Sequence, residues 1–233
     1  MRSVLRNVKR LTLKENNRVT GVIFDLDGTL VDSLGVLTQA FNQGIQIFGL
    51  GLITRERLAV FLNQAISPED MLLEIFPHTF GDRKARQRCM EEAKRAYVKL
   101  EKDMPLFPDT LEVLSFLKVK GLKVGIATAR VFDIECDLHR LGIAQFIDAV
   151  VTGVEVQYRK PAPDGIIECL ERLGLSAGES IFVGDSRADI IAGKRAGVSV
   201  IAVSTGVADR EALIAEEPVI IIDDLTQLVK IIW

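Results

Sequence analysis

The sequence predicts an α/β protein, a doubly wound parallel sheet with helices on both faces and a block of helices inserted after its first strand. Three observations lead there. Short apolar runs rich in β-branched residues recur from about Arg18 onward, separated by helix-length segments, the pattern of strands buried on both faces. Four of the helical segments end in glycine, the residue that most readily takes the left-handed conformation closing a helix. Between about Leu34 and Met104 the alternation stops, and only helical periodicity is found.

The first strand is expected over Val19–Phe24, followed by Leu122–Ala127, Ala149–Thr152, Ser180–Val183, Val198–Val203 and Pro218–Ile222. Helices alternate with them at about 109–120, 131–142, 164–174, 187–196, 209–216 and 224–232, and Gly121, Gly142, Gly174 and Gly197 close four of these. Such strict alternation defines a doubly wound sheet. The inserted stretch reads as four helices, Leu34–Phe48, Thr54–Asn63, Pro68–Phe76 and Gly81–Met104. The last carries eight Lys/Arg and five Asp/Glu, a solvated mixed face, and ends before Pro105 and Pro108. The expected organisation is an arm over 1–17, a core over 18–33 and 105–233, and a helical cap over 34–104.

A chain of 233 residues has room for such a core and a modest second module. Apolar residues at 48% and charged residues at 26% fit a soluble globular protein. The net charge of −3 argues against a general nucleic-acid binder, without excluding a small anionic ligand. No apolar run is long enough for a membrane span. The first twenty residues hold six basic side chains and one acid and lack the apolar centre of a signal peptide. They read as a solvated arm or a short hairpin turning at Asn16-Asn17. Cys89, Cys136 and Cys169 are odd in number and widely spaced, so the expected compartment is the reducing cytoplasm. Cys136 and Cys169 fall in helical segments and read as small buried apolar residues.

In an open α/β sheet ligands bind beyond the carboxyl ends of the strands. After the first strand comes Asp25-Leu26-Asp27-Gly28-Thr29. Two acids one residue apart at the end of an apolar strand repel, and a divalent cation with oxygen ligands relieves that repulsion. After the second strand, Thr128 offers a hydroxyl ahead of Ala129 and Arg130, either as part of an anion site or as a helix N-cap. After the third, Lys160 stands before Pro161-Ala162-Pro163-Asp164, either as a fixed positive group or as a surface lysine. After the fourth comes Asp185, with Asp189 four residues on, a spacing that fits a metal ligand and a supporting acid. Together the four strand ends supply acids, a hydroxyl and a lysine to one mouth of the sheet.

This set resembles the haloacid dehalogenase (HAD) superfamily over residues 20–233. FDLDGTLVDS is similar to its first motif, Thr128 to its second, Lys160 in KPAPD to its third and GDSRAD to its fourth. The resemblance implies a Rossmann-like core with an α-helical cap of the first type and an Mg2+-dependent phosphatase. Asp25 would be the nucleophile, Asp27 the general acid and base, and Asp25, Asp27 (through its main-chain carbonyl) and Asp185 the metal ligands, with Asp189 supporting. Thr128, Ala129 and Lys160 would bind the phosphoryl group. One departure stands out: many relatives carry Asn after the second-motif hydroxyl residue, where this chain has Ala129 and then Arg130. This leaves open what Arg130 contacts.

An acid at Asp27 favours phosphoryl transfer over dehalogenation. Sugar-phosphate mutases of the family carry a His twelve residues after the nucleophile, where this chain has Leu37. The first motif is closest to the phosphoglycolate phosphatase and pyrophosphatase branch. The expected substrate is a small phosphorylated metabolite, phosphoglycolate first, acted on by a monomer or homodimer with no nucleic-acid or membrane partner. Asn63, Gln64 and Ser67 in a turn of the cap are candidates for specificity, with Arg55 and Arg57 behind them. The alternatives are a pyrophosphatase, a sugar-phosphate mutase, or a non-enzymatic regulator phosphorylated on Asp, although a receiver-type regulator needs neither the cap nor Asp27.

Overall fold

The structure, a computed structural model, describes residues 19–63, 66–130 and 134–232. The N-terminal arm and its expected turn at Asn16-Asn17 lie outside the described residues. In chain order the elements are β1 Gly21–Phe24, α1 Ser33–Gln46, α2 Arg55–Asn63, α3 Pro68–Ile75, α4 Pro77–Phe80, α5 Arg83–Leu100, α6 Thr110–Val119, β2 Lys123–Ala127, α7 Glu135–Arg140, β3 Ala149–Val151, α8 Asp164–Leu173, β4 Ser180–Gly184, α9 Arg187–Ala196, β5 Ser199–Val203, α10 Arg210–Ala215, β6 Ile220–Ile222 and α11 Thr226–Ile232. The strands form one parallel sheet in the order β3-β2-β1-β4-β5-β6. All six stand where the apolar runs placed them, and Gly121, Gly142, Gly174 and Gly197 all take positive φ at helix ends.

Alternation along the strands divides the core into two layers. Val22, Phe24, Val124, Ile126, Ile181 and Val183 face one side, with Leu114 and Leu117 of α6 and Leu228 of α11. Ile23, Phe182, Val200 and Ala202 face the other, with Ile166, Leu170 and Leu173 of α8 and Ile190 of α9. A parallel sheet buries both faces, so its strands read as continuous apolar runs.

The insert between β1 and β2 is a helical cap with its own apolar centre, built on Phe41, Ile45, Leu58, Leu72 and Phe80. Leu58, Leu72 and Phe80 are fully buried, each contributing about 1.5–3 kcal/mol of burial. Asn42 holds the loop after α1 by exchanging two hydrogen bonds with the Ile53 backbone, both 2.9 Å. The expected single helix over Gly81–Met104 is shorter. Asp82 caps α5 by accepting from Lys84 N, and the chain leaves α5 at Leu100 through a 3-10 turn, Glu101–Asp103. The short α4 precedes it, with Pro77 at its first position, where a missing N–H costs nothing.

The two chain crossings between core and cap run side by side. Asp32 N–H donates to Pro105 O at 2.9 Å and Phe107 N–H to Leu30 O at 3.0 Å. The segment after β1 is thereby pinned as a tight turn at the mouth of the sheet.

Candidate active site

The central strand β1 lies between β2 and β4, where the strand order reverses direction. Loops leave that point on opposite sides and open a crevice. Asp25 continues β1 by one residue, its N–H donating to Val183 O at 2.8 Å. Its side chain therefore stands at the floor of a cavity of about 400 Å³.

Lys160 reaches this floor from the long loop after the edge strand β3. Its Nζ donates to Asp25 Oδ1 at 2.5 Å and to Asp189 Oδ1 at 2.6 Å, and the side chain is 10% exposed. It also lies 5.7 Å from the centre of the Phe182 ring. Asp189 arrives by a different route from the expected helical face. It is the third residue of α9 and forms a capping box with Ser186, accepting from the Ser186 N–H at 3.0 Å and hydroxyl at 2.5 Å on Oδ2. That arrangement leaves its Oδ1 for Lys160.

Asp185 follows β4 and is 2% exposed. Its Oδ2 accepts from Val207 N–H at 3.0 Å and its Oδ1 from the Thr29 hydroxyl at 3.3 Å. Two glycines admit it. A Cβ on Gly206 would fall 1.7 Å from Asp185 Oδ2, and one on Gly28 would fall 2.5 Å from the same atom. Gly28 also has φ +85°, which a residue with a Cβ adopts at a cost.

Ligand oxygens of Asp25, Asp185 and Asp189 all lie within 4.8 Å of one another. Of these three buried carboxylates, Asp25 and Asp189 share one ammonium, and among the described residues no cation pairs with Asp185. Burial pushes the Asp25 carboxyl up to about 7; Lys160 works against that rise, while Asp189 and Asp27 add to it. Burial also drives Asp185 well above the usual carboxylate range, with Asp189 and Asp25 adding to the rise. For Lys160, burial alone would favour the neutral amine, but the carboxylates of Asp189 and Asp25 outweigh it and raise its pKa. A hard divalent cation fits this donor set, since clustered carboxylate oxygens short of positive charge are what such ions take.

Asp27 lines the same cavity, and its carboxylate is held by Arg130, with Nε to Oδ2 and Nη2 to Oδ1, both 2.7 Å. Thr128 is buried with its N–H on Val151 O, and its Oγ1 accepts from Arg130 N–H at 3.2 Å. It is not the N-cap of α7, which begins only at Glu135. Ala129 lines the cavity beside it.

The cap side of the cavity is mostly apolar, formed by Leu34, Leu37, Leu62 and the ring of Tyr97. Sequence reading did not single out Leu34, Leu62 or Tyr97; the helical period of the cap marks apolar faces but not which one overhangs the core. Ser67 caps α3, accepting from Asp70 N–H at 3.1 Å and donating to Asp70 Oδ2 at 2.6 Å, and does not line the cavity. Gln64 and the Asn63 side chain lie outside the described residues. Arg55 lies off the cavity, pairing with Asp32 at 2.7 Å and donating to Thr205 O at 3.1 Å, and Arg57 is exposed. Cys169 is buried as expected, but Cys136 is exposed, because α7 is a short surface helix whose buried contact is Leu138.

The sequence pattern of the haloacid dehalogenase-like hydrolases matches residues 22–203. A phosphoglycolate phosphatase of Escherichia coli (strain K12) is 31% identical over 90% of this chain and 91% of its own length. The pyrophosphatase PpaX of Bacillus velezensis is 30% identical over 93% of this chain and 97% of its own. Among solved structures, a predicted phosphoglycolate phosphatase from Haemophilus somnus 129PT superposes with a TM-score of 0.76, covering 92% of this chain and 98% of that one at 22% identity. A HAD-superfamily hydrolase of subfamily IA from Geobacter sulfurreducens gives 0.72, covering 94% and 99% at 20% identity. The chain, with its helical insert after β1, belongs to the haloacid dehalogenase-like hydrolase family, among its phosphatases.

Proposed function

We propose that this phosphatase hydrolyses the monoester of a small phosphorylated metabolite through a phosphoryl group carried on Asp25, with phosphoglycolate the first candidate. The observation that carries the reading is the position of Asp25. It stands at the end of the central strand, on the floor of the cavity, with Lys160 on one oxygen and Asp185 and Asp189 within 4.8 Å. Asp25 attacks phosphorus in line, forming a bond from its oxygen as the bond to the leaving oxygen breaks. The departing electron pair takes a proton from Asp27. Water then attacks the phosphoryl group and gives a proton to Asp27, and Asp25 is released as a carboxylate. Lys160 and Thr128 offer donors for phosphoryl oxygens that gain charge on the way, and Ala129 lets the group approach.

Asp25, Asp185 and the main-chain carbonyl of Asp27 would hold Mg2+, with Asp189 supporting. Bound there, the ion offsets phosphate charge and keeps Asp25 ionised. Residues 34–104 act as the cap over a core of 18–33 and 105–233. The paired crossings at Asp32–Pro105 and Leu30–Phe107 support those limits, and closure of the cap excludes bulk water. Leu37 offers no proton-transfer group to the cavity, which favours hydrolysis over the mutase reaction. Pyrophosphate hydrolysis is the second reading, on the relationship to PpaX. We place the reaction in the cytoplasm, on three unpaired cysteines.

The test is phosphate release from phosphoglycolate, pyrophosphate and p-nitrophenyl phosphate, with Mg2+ and after chelation. Asp25→Asn should lower kcat by at least about a thousandfold, and turnover depends on Mg2+. Turnover that survives Asp25→Asn refutes the assignment of the nucleophile.

A further inference from the structure

We propose that Arg130 is a positioning residue for Asp27, a two-point clamp that fixes how the Asp27 carboxylate meets the leaving oxygen; this rests on the reading of Asp27 as the proton-transfer group. A carboxylate at the end of a short side chain rotates about two soft torsions. The Arg130 fork donates to both Asp27 oxygens at 2.7 Å and so restrains both torsions, which a single-point partner cannot do.

The clamp is itself anchored. The Arg130 side chain is 9% exposed, against 33% for that of Asp27. From behind, Nη1 donates to Asp137 Oδ2 of α7 at 3.0 Å, and Nη2 lies 3.3 Å from Met104 Sδ. Its main chain is held too, by its N–H on Thr128 Oγ1 at 3.2 Å and its carbonyl accepting from Gly153 N–H at 2.7 Å. Arg130 thus ties the turn after β1 to the loops after β2 and β3.

The arrangement also says what Arg130 does not do. Its charge is engaged by two carboxylates, Asp27 in front and Asp137 behind. Lys160 is the cation beside the nucleophile. Each Asp27 oxygen accepts from Arg130 through one lone pair and keeps another, so Asp27 can give or take a proton while both bonds hold the carboxylate over the same point. Placement of this kind lowers a barrier by removing misdirected orientations.

The experiment compares wild type, Arg130→Met, Arg130→Lys, Asp27→Asn and the Asp27→Asn/Arg130→Met double variant, all with Mg2+. The probes are the best alkyl phosphate of the substrate panel, whose leaving oxygen needs a proton, and p-nitrophenyl phosphate, whose leaving group does not. Arg130→Met should lose at least about tenfold more kcat/KM, which reports only the steps up to loss of the leaving group, on the alkyl phosphate than on the aryl one. Arg130→Lys should show the same bias at smaller size. The double variant should be no slower on the alkyl phosphate than Asp27→Asn alone, as expected when one residue acts through the other. Equal losses on both probes or additive losses in the double variant overturn the proposal. If Arg130→Met fails to fold, the bias of Arg130→Lys decides, and a Lys variant without bias overturns it. An Asp27→Asn enzyme impaired equally on both probes removes the reading of Asp27 and the clamp with it; a biased Asp27→Asn beside an unbiased Arg130→Met removes the clamp alone.

Discussion

Lys160→Met tests the electrostatics of the site most directly. The substitution keeps much of the side-chain volume and removes the one ammonium that two buried carboxylates share, at 2.5 Å from Asp25 and 2.6 Å from Asp189. Removing one partner of a buried ion pair costs about 3–5 kcal/mol. For a chain of this size each kcal/mol moves Tm by about 2–4 °C, so the variant should melt about 6–20 °C below wild type at pH 8 in EDTA. The effect has a sign in pH. The Asp25 carboxyl is already raised from 3.8 to about 7, chiefly by burial, with Lys160 opposing. A carboxyl whose folded pKa is raised contributes stability that is fully present below its unfolded pKa and lost as pH rises through the folded one. Taking Lys160 away raises the folded value further. The gap between variant and wild type should therefore be small near pH 5 and widen as pH passes about 7. Mg2+ should close part of it, since an ion on the same carboxylates supplies the missing charge. The assay is thermal unfolding across that pH range, with EDTA and with Mg2+. A Lys160→Met protein that melts within 1 °C of wild type at pH 8 in EDTA, or whose deficit does not change with pH, refutes the argument.

Two further outcomes follow from the packing. Gly206→Ala places a methyl group 1.7 Å from Asp185 Oδ2; the displaced carboxylate should lower activity by about a hundredfold or more and abolish the Mg2+-dependent rise in Tm, whereas Gly51→Ala, which meets nothing within 4 Å, should leave both unchanged. Burial pushes the Cys89 thiol up to about 11 and the Cys169 thiol up to about 12, so at pH 8 a thiol reagent such as DTNB should titrate exposed Cys136 rapidly in the native protein and all three cysteines only after unfolding; two fast thiols in the native state would contradict the burial.

The sequence by itself determined the sheet and its mouth. The six strands were legible because a parallel strand buries both faces and must be apolar throughout, and the helix ends because their glycines sit where φ is positive. Asp25, Asp27, Thr128 and Asp185 were legible as candidates because each stands just past a strand, where a polar side chain has no packing reason to be, and Lys160 because it lies in the loop that follows the third strand. Tertiary structure decided the partners. Asp189 reaches Lys160 because it closes a capping box with Ser186, whereas sequence spacing suggested a shared helical face with Asp185. Arg130 meets Asp27 across 103 positions of sequence, and no local pattern records a contact between two loops brought together by strand pairing. The cap was legible as helices, but which of their apolar faces overhangs the site depends on how the two chain crossings seat it on the core. That is set by long-range hydrogen bonds and packing, which sequence periodicity does not encode.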